Sequence, residues 1–203
     1  MASLRAELAG ETMPDFVLTL PVGWVKREPS DEERDELLRA TKNRLMAVHR
    51  PDLYAQMSTM VTRMFRDMQR VETVAYFMPG PDAPDEAYLP ATLTASVRRG
   101  PNGTSLDDVV AGLIRTQGAT ALGGDKRMLR WEKEDVQIID GVRVPTTTVV
   151  YFTPVPDTGR KRALQFTLVI SHEPIETDED RQFLDGVKAM FDSHLSTFSW
   201  KAE

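Results

Sequence analysis

Apolar residues return every three or four positions between Ser30 and Arg70, and every second position over much of the later chain, so the sequence predicts helices first and sheet afterwards. Ahead of the helices, Phe16-Val17-Leu18-Thr19-Leu20 is a β-rich run that Pro21 ends, with Gly23-Trp24 as its exit turn. Ser30-Asp31-Glu32-Glu33 has the form of a capping box, its acids placed at the positive end of a helix dipole. Leu37, Leu38, Thr41, Leu45 and Val48 then share one side of a first helix, and Pro51 marks a break. A second helix, capped by Asp52, carries Leu53, Met57, Met60, Met64 and Met68 as a stripe, with Val61 and Phe65 alongside.

Beyond Val71 the period becomes alternating. Val74 to Met78 and Thr92 to Val97 read as a strand pair around a proline-rich, acidic loop at 79–90. Asn102-Gly103 is a turn signal. Ser105-Leu106-Asp107-Asp108 opens a short helix whose buried side is Leu106, Val109, Val110, Leu113 and Ile114, ending near Gly118. Met128 to Trp131, Val136 to Ile139, Val142 to Val144, Thr146 to Phe152 and Ala163 to Ile170 come next as strands, with Asp140-Gly141 a hairpin signal and Pro156 to Gly159 a turn. Thr177-Asp178-Glu179-Asp180 caps a last helix, with Phe183, Leu184, Val187, Met190, Phe191, His194, Leu195 and Phe198 on its apolar side. The expected architecture is a single α+β domain over residues 1–203. An antiparallel, meander-like β-sheet is covered by helices, with an extra helix-pair excursion at about 30–70.

The two ends of the chain together resemble the PsbP-like fold family. The resemblance rests on Phe16-x-Leu18-x-Leu20-Pro21-x-Gly23-Trp24 near the start, on a last amphipathic helix running into Phe198-Ser199-Trp200, and on the order of elements between them. It implies an α/β/α sandwich and a family with several protein-binding members and no shared catalytic residues, so no site residue carries over. The helix pair from Ser30 to Arg70 is longer than the family's usual excursion. The lipobox cysteine of the family's exported lipoproteins is missing, and with it the exported-lipoprotein role.

Composition narrows the chemistry. Among 203 residues there is no cysteine, which excludes disulfides, thiolate nucleophiles and cysteine-ligated metals. The 3 histidines, His49, His172 and His194, have no second ligand at a metal-like spacing. The net charge of -6 argues against a chain-wide phosphate-binding surface. Arg98-Arg99, Lys126-Arg127 with Arg130, and Arg160-Lys161-Arg162 are the densest basic segments, and each reads as a solvated turn. Met1 to Thr12 lacks a signal-peptide core and no stretch is long enough to span a membrane, so the expected address is the cytoplasm.

Catalytic constellations are equally thin. There is no G-x-S-x-G elbow, Gly123-Gly124-Asp125-Lys126 lacks phosphate-loop spacing, and the acids from Glu173 to Asp180 are explained by capping. The expectation is a non-enzymatic binding or adaptor domain without cofactor or metal, working through a protein partner or homodimer and not through nucleic acid. Its candidate partner-binding residues are Met57, Met60, Met64 and Met68, because methionine suits either irregular core space or an adaptable surface. The alternative is a small-molecule carrier or sensor with an apolar pocket between sheet and helices, lined by residues such as Trp24, Tyr151 and Phe166.

Overall fold

A computed structural model describes residues 13–139 and 142–201; the segment Met1 to Thr12 and the Asp140-Gly141 turn signal lie outside them. The described strands are β1 (Phe16–Val17), β2 (Trp24–Arg27), β3 (Thr73–Pro79), β4 (Ala91–Arg99), β5 (Thr120–Leu122), β6 (Asp125–Ile139), β7 (Val142–Pro154), β8 (Arg162–Ser171) and β9 (Ser199–Trp200). The described helices are α1 (Asp31–Ala47), α2 (Pro51–Arg70), α3 (Asp107–Gln117) and α4 (Asp178–Ser196).

Seven strands form one antiparallel sheet in the order β2-β3-β4-β8-β7-β6-β5, and β1 pairs separately with β9. The sheet is therefore two meanders, β2-β3-β4 and β5-β6-β7-β8, joined where β4 lies against β8 from Ala91↔Ile170 to Arg99↔Arg162. With those two strands hydrogen-bonded to each other, the terminal strands of the sheet are β2 and β5, both short, and β6 continues past its pairing with β5 from Trp131 to Ile139 with only β7 beside it. Three expectations change in detail. The first strand is only Phe16–Val17, and Trp24, read as an exit turn, instead begins strand β2. The two runs at Met128 and Val136 are parts of one 15-residue strand.

Strand alternation sorts the side chains into two layers. One sheet face presents Phe77, Leu93, Val149, Tyr151, Leu164, Phe166, Leu168 and Ile170, and α4 lays Leu184, Val187, Phe191 and Leu195 on it. The β1–β9 pair closes the same core with aromatics, Phe166 meeting Phe16 at 5.7 Å and Phe198 at 5.4 Å between ring centroids. The opposite face carries α2 over Tyr76 and the start of α3 over Phe152 and Ala163. Helices thus lie on both faces of the sheet.

Short-range signals place the helix starts. Ser30 Oγ accepts from the Glu33 N–H at 3.1 Å, and Thr177 and Asp180 form a reciprocal capping box at α4. The Thr177 hydroxyl, followed by the Thr177 and Glu176 backbone N–H groups, holds the Asp180 carboxyl below its ordinary range. Asp52 is not the cap of α2, since the helix already begins at Pro51, whose missing N–H costs nothing in the first turn. Phe183 and Ile114, both expected on buried faces, are 51% and 50% exposed.

Candidate functional site

The α1–α2 hairpin is held to the sheet only at its base. Val61, Phe65 and Met68 of α2 are buried with Tyr76, and Leu37 and Leu38 of α1 pack against that cluster. No residue of α1 is fully buried. Of the four candidate methionines, Met68 is therefore a core residue and not part of a contact surface, a correction required by its place in the last turn above Tyr76. Met57, Met60 and Met64 are exposed, Met60 to 56%, as are Met46 and Val48 near the helix junction.

Polar ties fix both helical layers. At the hairpin base the Tyr76 hydroxyl donates to Glu33 Oε1 at 3.2 Å, and Arg27 pairs with the same carboxylate. Under α4 the Tyr151 hydroxyl donates to Asp192 Oδ1 at 2.6 Å while Arg130 Nε donates to both Asp192 oxygens at 2.9 and 3.0 Å. Arg130 continues to Glu132 at 2.9 Å, and Lys188 joins Glu132 to Asp185. Burial works against the Arg130 charge, but Asp192 and then Glu132 raise its pKa. No run of sequence announces this network, because Tyr151 and Asp192 are brought together only by the packing of α4 on β7.

Burial pushes the Tyr151 and Tyr76 phenols up, reinforced by Asp192 and Glu33 respectively. The unfolded chain ionises a phenol near pH 10 and the fold keeps these two protonated. Their contribution to stability is thus complete below about pH 10 and lost as the pH rises past it. In an alkaline titration, 2 of the chain's 4 tyrosines are expected to give phenolate absorbance only as the circular dichroism of the fold is lost. Early ionisation of all four with the fold intact contradicts that burial.

The remaining candidate residues do not converge on a metal or a pocket between sheet and α4. His172 Nε2 lies 3.1 Å from Thr147 Oγ1 and its Nδ1 2.8 Å from the Glu173 carbonyl oxygen, while His49 is exposed at the helix junction. Among the described residues no group of three or more His, Asp or Glu could hold a metal ion. Trp24, Tyr151 and Phe166, expected to line a carrier pocket, are buried in a filled core, with the Trp24 Nε1–H donating to the Ala87 carbonyl at 2.9 Å.

Clefts occur elsewhere, at one end of the sheet. The three basic segments, scattered in sequence, meet there. Arg98-Arg99 ends β4 opposite Arg162-Ala163 at the start of β8, and Lys126-Arg127 opens β6. The Leu106 N–H donates to the Arg160 carbonyl at 2.9 Å and the Gly100 N–H to that of Lys161 at 2.8 Å, which ties the start of α3 to the turn before β8. That loop passes so closely that a Cβ on Gly100 would lie 1.8 Å from the Thr104 carbonyl oxygen. A cleft of about 500 Å³ lies beside α3, and another of about 760 Å³ lies on the α4 side. Arg127, Pro154 and Arg160 line both.

Fold and surfaces together define an α+β domain with a helical hairpin anchored at one end and open clefts at one sheet end. Set against protein-family models, curated proteins and solved structures, the chain matches none. Among the described residues no helix is long and apolar enough to cross a membrane.

Proposed function

We propose that this chain is a non-enzymatic binding domain that works through protein–protein contact, in the cytoplasm and without a cofactor, with the outer α1–α2 hairpin as its contact surface. The carrying observation is the exposure of Met57, Met60 and Met64 on a helix whose buried residues, Val61, Phe65 and Met68, all lie in its second half. Soft, unbranched methionine side chains repack readily against a partner. The partner favoured by the charge layout is a second copy. In the first turns of α1 Asp31 and Asp35 pair with Arg34 and Glu33 with Arg27, which leaves Glu32 and Glu36, and the later turns carry Arg39, Lys42 and Arg44, so two hairpins running antiparallel set acids against bases about a two-fold axis. The kinship with the PsbP-like fold family belongs to the same proposal. It is supported by the pairing of the two segments that carry the resemblance, Phe16↔Trp200 and Val17↔Ser199. Nucleic acid has no part in this reading, since the chain carries a net charge of -6.

Light scattering with sedimentation tests the reading. The protein is expected to dimerise, and Met60→Glu with Met64→Glu to weaken the dimer by about a hundredfold while leaving the circular dichroism unchanged. Lys42→Glu with Arg44→Glu should also weaken it, and mixing that variant with Glu32→Lys, Glu36→Lys should restore pairing. A protein that stays monomeric up to about 1 mM, where association is worth only about 4 kcal/mol, overturns the homodimer. So does a dimer indifferent to both methionine and charge variants.

A further inference from the structure

Helix α3 is amphipathic, yet none of its own residues is fully buried. Only Leu106, just ahead of it, is buried with Phe152 and Ala163. The volume its apolar side does not fill is the cleft of about 500 Å³, within the ordinary range of small-molecule sites. Its floor is apolar, made by Val110, Ala119, Leu129, Phe152 and Ala163, with Ile114 half exposed at the mouth. Its charged lining is mostly basic, with Lys126, Arg127, Arg160 and the buried Arg162 beside Asp107; Arg160 pairs with Asp107 and Arg127 with Asp125, and Lys126 is an exposed cation at the rim, in a chain whose net charge is -6.

The geometry points to a binding site for a single-chain anionic amphiphile, a long-chain carboxylate, beneath α3. The alkyl chain lies on Leu129, Val110 and Ile114, displacing water from surface the fold leaves apolar. The carboxylate sits at the mouth beside Lys126 and Arg160. Asp107 takes one edge of the Arg160 guanidinium through Nη1 at 3.1 Å, and Lys126 forms no ion pair with an acid among the described residues. A cationic head would meet Lys126 and the outer edge of Arg160, and a neutral one would forgo them, so the rim selects sign while the floor selects an apolar chain. The site lies at the β7-β6-β5 side of the sheet and the hairpin at the β2-β3 side, so it stands or falls independently of the dimer.

Calorimetric titration of the full chain with decanoate and dodecanoate, the dodecanoate methyl ester and dodecyltrimethylammonium tests this. The expected result is one saturable carboxylate site, with affinity rising about two- to fourfold per added methylene. The ester and the cation should bind at least tenfold more weakly. Ile114→Glu, at a half-exposed position that tolerates polarity, should abolish binding, and Lys126→Glu should weaken it about tenfold; both should keep the native circular dichroism. Overturning results are no saturable binding, equal binding of all three head groups, or dodecanoate binding that neither variant changes. Adsorption to anionic phospholipid vesicles with no affinity for free dodecanoate also overturns it.

Discussion

Phe166→Ala is expected to lower the free energy of unfolding by about 4 kcal/mol, and the melting temperature by roughly 8–16 °C for a chain of this size. Phe166 is wholly buried in β8, where its ring meets those of Phe16, Phe77 and Phe198. Its loss removes apolar area and leaves a cavity that three strands cannot collapse to fill, since β8 is hydrogen-bonded on both sides by β4 and β7. Phe166→Leu keeps most of the volume and should cost about 1.5 kcal/mol. Phe183→Ala, on the exposed side of α4, should change stability by no more than about 0.5 kcal/mol although sequence pattern groups the two phenylalanines alike. Calorimetric melts of the three variants check the order; equal losses at 166 and 183 contradict the layer structure.

Asp192→Ala should cost about 3 kcal/mol, or roughly 6–12 °C. Removing the carboxylate strands the hydroxyl of a fully buried Tyr151 and leaves the Arg130 guanidinium with Glu132 alone. The ion-pair side chains keep 21% and 28% exposure, which puts the loss at the low end of that for a sealed pair. Asp192→Asn still accepts from the tyrosine and should lose only about half as much. A double-mutant cycle with Tyr151→Phe separates the phenol's share, and a coupling below about 0.5 kcal/mol would show the tie between α4 and β7 to be incidental.

What could be read from sequence divides by range. Ser30, Thr177 and the helix periods act within a few residues, and the structure has those elements where they predict them. Strand β2 was hidden because Lys26 and Arg27 break an apolar run on an edge that tolerates charge. Periodicity showed that Met57, Met60, Met64 and Met68 share a side of α2, but not that the sheet reaches only Met68. The basic segments read as separate turns because their meeting depends on which strands pair. The cleft beside α3 is equally invisible in the sequence, being the packing that α3 fails to complete.

The join between β4 and β8 bears on how the chain folds. Each meander can form from neighbouring segments, but these two strands are separated by more than sixty residues, including α3 and the long β6–β7 ribbon. Closing that loop costs chain entropy before its contacts return anything, which places the protein with slow, high-contact-order folders. Until the join forms, one edge of each meander stays open and Phe166 and Leu168 lie bare beside it. The late join is therefore the stage at which two folding chains compete for one edge, and the native β4–β8 ladder is what keeps the finished molecule out of that competition.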